Sequence, residues 1–232
     1  MSRITCAQLK LEEVSSLENE IVARFVALTR YDTETIRNLR REFSKRLARS
    51  PPTLILALAL SLKRSHIVPR FVAYELIQNH REALRSLKAK SLEELGSGND
   101  SWDKVDTFAC YLAGPAWREQ QVSDALIRRW ARSGNRWWRR AAVVSTVALN
   151  NKARGGGGDT NRTLMICAML IADRDDMVVK ALSWALRELS KRDPKSVRKF
   201  LHEHDAALAP RVVREVSNKL QTGLKNPRKQ RI

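Results

Sequence analysis

An all-α fold built from repeated helix pairs is what this chain predicts, and three observations carry that expectation. No stretch alternates apolar and polar residues as a half-buried strand does. Ala, Leu, Arg and Lys dominate instead, with apolar residues recurring three and four positions apart. Finally, the chain matches itself: WWRRAAVVSTVAL at 137–149 lies over MVVKALSWALREL at 177–189, and RVVREVSNKL at 211–220 begins the same way. A recurrence every ~35–40 residues is the mark of a helical solenoid, in which each pair buries its apolar face against the next.

Taken in order, residues 1–16 read as a mixed-charge lead-in of low order. From Leu17 the period turns helical, with Ile21, Phe25 and Leu28 on one face. A second helix starts after Asp32 or Thr33 and points Ile36, Leu39, Phe43 and Leu47 inward. Its other face is a basic ladder of Arg37, Arg40, Arg41, Lys45, Arg46 and Arg49. Pro51-Pro52 ends that helix and opens the next over 53–63. Pro69 precedes a helix over 70–79, and a short one covers 81–95. The loop GSGND at 96–100 leads into a central helix, SWDKVDTFACYL at 101–112, with Asp100 or Ser101 as its cap. After Gly114-Pro115 come helices over 122–132, 136–150, 160–173, 176–191, 195–204 and 210–224. The run Gly155–Gly158 reads as a flexible connection without chemistry of its own, and 225–232 as a frayed basic tail. Residues 17–224 thus form one domain.

Charge sets the partner class. Lys and Arg number 43 against 25 Asp and Glu, a net +18, which calls for a polyanion, with nucleic acid ahead of an acidic membrane surface. Three scattered cysteines, Cys6, Cys110 and Cys167, suit neither a disulfide framework nor a zinc site, and fit a reducing compartment. The longest apolar run, 54–62, is far too short to span a membrane, and the first residues carry no signal-peptide pattern. Cytoplasmic placement, with association to the nucleoid through DNA, follows. His202-x-His204 has no partner ligands, so no metal is expected.

The self-match also aligns charges. Asp106, Arg140, Lys180 and Arg214 fall on one equivalent position, and Arg70 extends the row. In a solenoid of the HEAT or armadillo kind such positions line one surface, commonly the concave one, so the expectation is a concave basic groove with a single acid set in it. Trp102 lies one helical turn before Asp106, and Trp184 one turn beyond Lys180. Two indoles near an acid in a basic groove could pack on a sugar or on a cationic base. Trp117 and Trp130 read as packing residues.

These residues together resemble the AlkD family of alkylpurine DNA glycosylases, built of HEAT-like repeats. The resemblance rests on SWDKVD at 101–106, WWRRAA at 137–142 and KALSWALRE at 180–188, in family order, and extends over most of 20–220. It implies that Asp106 is the catalytic aspartate, that Trp102 and Trp184 cradle the lesion nucleotide, and that Arg140 contacts a phosphate. Phe25 stands where the family carries an N-terminal tyrosine, and with Arg37, Arg70, Lys180 and Arg214 it joins the implied DNA-binding set. The implied activity is monofunctional excision, by a monomer and without metal or organic cofactor, of cationic N3- or N7-alkylated purines from duplex DNA. The family also holds non-catalytic members that bind distorted or branched DNA, the alternative expectation; a scaffold for an acidic protein is a further one.

Overall fold

The computed structural model describes residues 6–227, and side chains from residue 11 onward. Among the described residues every regular element is helical. The chain falls into two compact units, Met1–Ser97 and Gly98–Ile232, parted at the 96–100 loop that sequence reasoning carried inside one domain over 17–224.

The first unit holds α1 (Cys6–Val26), α2 (Thr33–Arg46), α3 (Pro52–Leu62), α4 (Arg70–Gln78), α5 (Arg81–Arg85) and α6 (Ala89–Gly96). Helix α1 begins at Cys6, well ahead of the Leu17 start that periodicity suggests, and packs on α3. Residues 1–5 of the expected lead-in lie outside those described, as do 228–232 of the tail. Asp32 caps α2 by accepting the Thr35 N–H at 2.9 Å, and Pro52 supplies the first turn of α3. The core gathers Leu58, Leu62, Val72, Tyr74 and Ile77. The single helix expected over 81–95 is instead two, parted at residues 86–88. There Leu87 turns fully into the core, and the His80 ring caps α5 through the Ala83 N–H at 3.1 Å.

The second unit is a two-layered helical repeat. Helices α7 (Trp102–Phe108), α8 (Gly114–Arg118), α10 (Arg136–Asn150), α12 (Asp176–Leu189) and α14 (Pro210–Thr222) form one layer. Within it α10 packs on α7, α8 and α12, and α12 packs on α14. Helices α9 (Asp124–Ala131), α11 (Thr160–Met169) and α13 (Pro194–His204) lie against this layer. The junctions are written in capping residues: Asn135, Asp159, Asp175 and Asp193 each accept a backbone N–H at the start of α10, α11, α12 and α13. Cys110 and Cys167 are buried free thiols, pushed up to about 12 by that burial and so kept protonated.

Gly114-Pro115, which the sequence marks as a break, is absorbed within a continuous helix. Pro115 has no N–H to close an ordinary turn, and the chain answers with one widened π turn over Ala109–Ala113, where the Gly114 N–H reaches back to the Ala109 carbonyl. Gly114 is also required sterically, since a Cβ there would lie 2.5 Å from the Ala148 Cβ and 2.7 Å from the Ser145 carbonyl oxygen of α10. The π turn therefore sets the helix carrying Asp106 directly against the helix carrying Arg140.

Candidate functional site

The site is built from α7 outward. Val105 and Phe108 are buried, and the Phe108 ring packs against Trp130 at 5.9 Å and Trp138 at 6.2 Å, which fixes the helix's rotation. Asp106 is thereby turned toward α10. Its Oδ1 accepts the Arg140 Nε–H at 2.8 Å and its Oδ2 accepts an Nη2–H at 2.7 Å, a bidentate pair with side chains only 15% and 6% exposed. The remaining Arg140 nitrogen, Nη1, donates to the Met177 carbonyl in the first turn of α12. One guanidinium thus ties three consecutive helices of the layer at the carboxylate.

Burial pushes the Asp106 carboxyl above the usual aspartate value, against the pull of the two Arg140 hydrogen bonds; Asp103 adds to the rise and Arg154 opposes it. Trp102 opens the same helix and is 58% exposed, a large apolar surface beside a charged one. Trp184 is half-buried on α12. Two further residues belong to this neighbourhood. The Arg154 guanidinium lies over the Tyr111 ring at 4.8 Å, and its charge reaches both Asp106 and Cys110. The sequence holds a signal for neither beyond a lone Arg before a glycine run.

The family model for the DNA alkylation repair enzyme matches residues 25–220, most of the chain. This chain belongs to that family. Two solved structures from Streptococcus mutans share its fold. One, the structure of smu.31, is 19% identical with a TM-score of 0.58, over 93% of this chain and 99% of that one. The other, AlkD2, is 20% identical with a TM-score of 0.58, over 91% of this chain and 96% of that one. Comparison with curated proteins gives no significant match.

In this DNA alkylation repair family member, the expected contact residues take different places. Arg140 is 5% exposed and pairs with Asp106; the overlay puts it on the right helix but cannot show that its partner is the acid of the same row. Lys180 pairs with Asp176 at 2.6 Å, and Arg211 shares that carboxylate, also at 2.6 Å. Arg214 is exposed on α14. In the first unit, Phe25 is 2% exposed with its ring edge-on to Tyr31 at 6.5 Å, so it is a core residue rather than a DNA contact. Arg37 donates to Glu75 at 2.9 Å and lies over Phe71 at 5.6 Å, while Arg70 is half-buried at the start of α4. Trp117 and Trp130 are core residues; the Trp117 indole N–H donates to Asp124 at 2.7 Å. Among the described residues no group of three His, Cys, Asp or Glu is placed to hold a metal ion, and no helix is long and apolar enough to cross a membrane.

Proposed function

We propose that this protein is a monofunctional DNA glycosylase that releases cationic N3- or N7-alkylated purines from duplex DNA. The observation that carries the proposal is the Asp106 carboxylate, which shares its helix with the exposed Trp102 and is gripped on both oxygens by Arg140 of α10, in a chain of the DNA alkylation repair family.

The chemistry asks little of the protein beyond a fixed negative charge. In an alkylated purine the base already carries positive charge, so the C1′–N9 bond breaks with its electron pair going to the base, which leaves neutral. The sugar becomes an oxocarbenium ion, and water adds at C1′ and gives up a proton. Asp106 stabilises the developing cation and accepts a hydrogen bond from the incoming water. Each of its oxygens retains a lone pair beyond the one facing Arg140. Arg140 is then a positioning residue: it holds the carboxylate at one angle and, through the Met177 carbonyl, at one distance from α12. Trp102 and Trp184 supply π faces for the cationic sugar or base. Lys180, Arg214, Arg70 and Arg37 supply positive charge for the duplex.

A second proposal, that the protein binds distorted or branched DNA without excision, draws support from the same bidentate pair, since an acid neutralised by its own arginine also serves as a helix tie. Release of 7-methylguanine from methylated duplex DNA separates the two, with spontaneous loss subtracted and Asp106→Asn run beside wild type. Release by wild type alone supports the glycosylase. Equal release by both variants removes Asp106 from catalysis, and tight duplex binding with no release favours the binding protein.

A further inference from the structure

Arg140 turns three of its five N–H groups inward, to Asp106 and the Met177 carbonyl, so a second cation is sought beside the acid. We propose that Arg154, stacked on Tyr111 and carried by the short loop after α10, binds a backbone phosphodiester of the lesion strand beside Asp106; this rests on the DNA glycosylase proposal above.

The loop is built to hold that residue still. Lys152–Arg154 form a single 3-10 turn, and Gly155 follows in the left-handed conformation at φ 79°. The Arg154 carbonyl accepts an N–H of Arg118 at 2.8 Å. Arg192 donates to the Asn150 carbonyl and to the Gly156 carbonyl, both at 2.9 Å. Gly156 is pressed so closely on α10 that a Cβ would lie 2.6 Å from the Ala148 carbonyl oxygen. The run at 155–158 is therefore an anchored crossing rather than a slack linker.

Against this rigid backbone the Arg154 guanidinium is left uncommitted. Its plane is steadied by the Tyr111 ring, yet among the described residues none accepts a hydrogen bond from it or forms an ion pair with it. The other arginines bordering the loop are engaged: Arg118 donates to the Ala148 and Arg154 carbonyls and to the Glu119 carboxylate, and Arg192 to the Asn150 and Gly156 carbonyls. Tyr111 lies in the π turn that continues α7, so the same helix positions the acid and the stacking platform. A fork of free N–H donors, preorganised on an aromatic face near a carboxylate that acts on the sugar, fits a phosphate flanking that sugar.

The test is a chemical cycle on the full chain. Duplexes carry a tetrahydrofuran abasic analogue and one neutral methylphosphonate, placed in turn at each linkage flanking it, and are bound by wild type, Arg154→Ala, Arg154→Gln and Lys199→Ala. At one flanking position wild type should lose about tenfold in affinity, the worth of one charge-assisted contact, and the two Arg154 variants should lose no more there. Their salt slope should also fall by about one phosphate equivalent. Lys199→Ala, an exposed lysine on α13, should behave as wild type throughout. If wild type and the Arg154 variants lose affinity equally at every linkage, the proposal is overturned while the DNA proposal stands. If wild type shows no salt-sensitive duplex binding, both fall together.

Discussion

Replacing Asp106 with asparagine removes the one anion that, among the described residues, pairs with the Arg140 guanidinium, whose side chain is 6% exposed. Breaking such a pair from one side costs about 3–5 kcal/mol, because the surviving charge stays desolvated. The low end applies here: asparagine keeps one acceptor oxygen, the Met177 carbonyl still receives an Arg140 N–H, and the Asp106 side chain is itself 15% exposed. A loss of about 3 kcal/mol corresponds to a melting decrease of roughly 6–12 °C for a chain of this size. Arg140→Met should be similarly costly, since it strands a carboxylate that burial already pushes upward. The double variant Asp106→Asn/Arg140→Met carries no buried charge at this point and should be more stable than the sum of the singles predicts, by at least about 1.5 kcal/mol. Urea denaturation of all four proteins measures the coupling. Single losses that add to within about 0.5 kcal/mol would refute the tie between α7 and α10 as drawn. The cycle also sets the conditions for the activity assay, because excision by Asp106→Asn is informative only below its lowered melting temperature.

Three other expectations follow from the geometry. Under the proposed mechanism Asp106 acts ionised, and burial raises its pKa, so single-turnover rates should fall on acidification at a pH above the ordinary aspartate range of about 4. Near-ultraviolet circular dichroism recorded alongside separates loss of rate from loss of fold, and a rate flat to pH 4 would exclude the assignment. Gly114→Ala forces a methyl against Ala148 and the Ser145 carbonyl, and should cost about 1–3 kcal/mol in urea denaturation; an unchanged midpoint would refute the close approach. Lys63, half-buried and donating to the Glu94 carbonyl and Ser97 Oγ, is lowered to about 8 by desolvation and by the neighbouring Arg70 and Arg64 charges, so mass spectrometry after brief acetylation at pH 8 should find it ahead of exposed lysines wherever its bonds open. Labelling slower than that of Lys199 at every time point would count against that lowering.

Helix existence was legible in the sequence because amphipathic period and capping residues are local signals. The 136–150 helix appears at those bounds, and the helices expected from 160, 176 and 195 begin at Thr160, Asp176 and Pro194. What failed were places where tertiary contact overrides a local rule. Gly114-Pro115 looks like punctuation, but close packing on α10 keeps the helix running through a π turn. The overlay identified Asp106 and Arg140 as equivalent positions on neighbouring helices, yet equivalence says nothing about side-chain direction. Two opposite charges on adjacent helices at one level reach for each other, and a row imagined as parallel cations with one acid closes partly on itself. Arg154 escaped notice for the converse reason. Nothing local distinguishes it, and its importance arises only from the carbonyl and glycine contacts that pin its loop.

The net charge of +18 therefore overstates what a polyanion would meet. Arginines of low exposure serve the fold: Arg40 clamps the buried Glu75, Arg139 holds Asp173 at 2.7 Å, and Arg162 joins Asp159 to the Trp117 carbonyl. These guanidiniums are chosen for planar, multiply bonded geometry, and counterions are already excluded from them. Cations such as Lys45, Arg49, Arg128, Arg132, Lys152 and Arg214 are exposed and attract phosphate at long range. A cation that is held still and, among the described residues, unpaired is the kind suited to fix the register of a strand, and Arg154 is the one proposed for that part. The salt slope of duplex binding should accordingly count a few such contacts, with the remaining charge affecting association rate more than position.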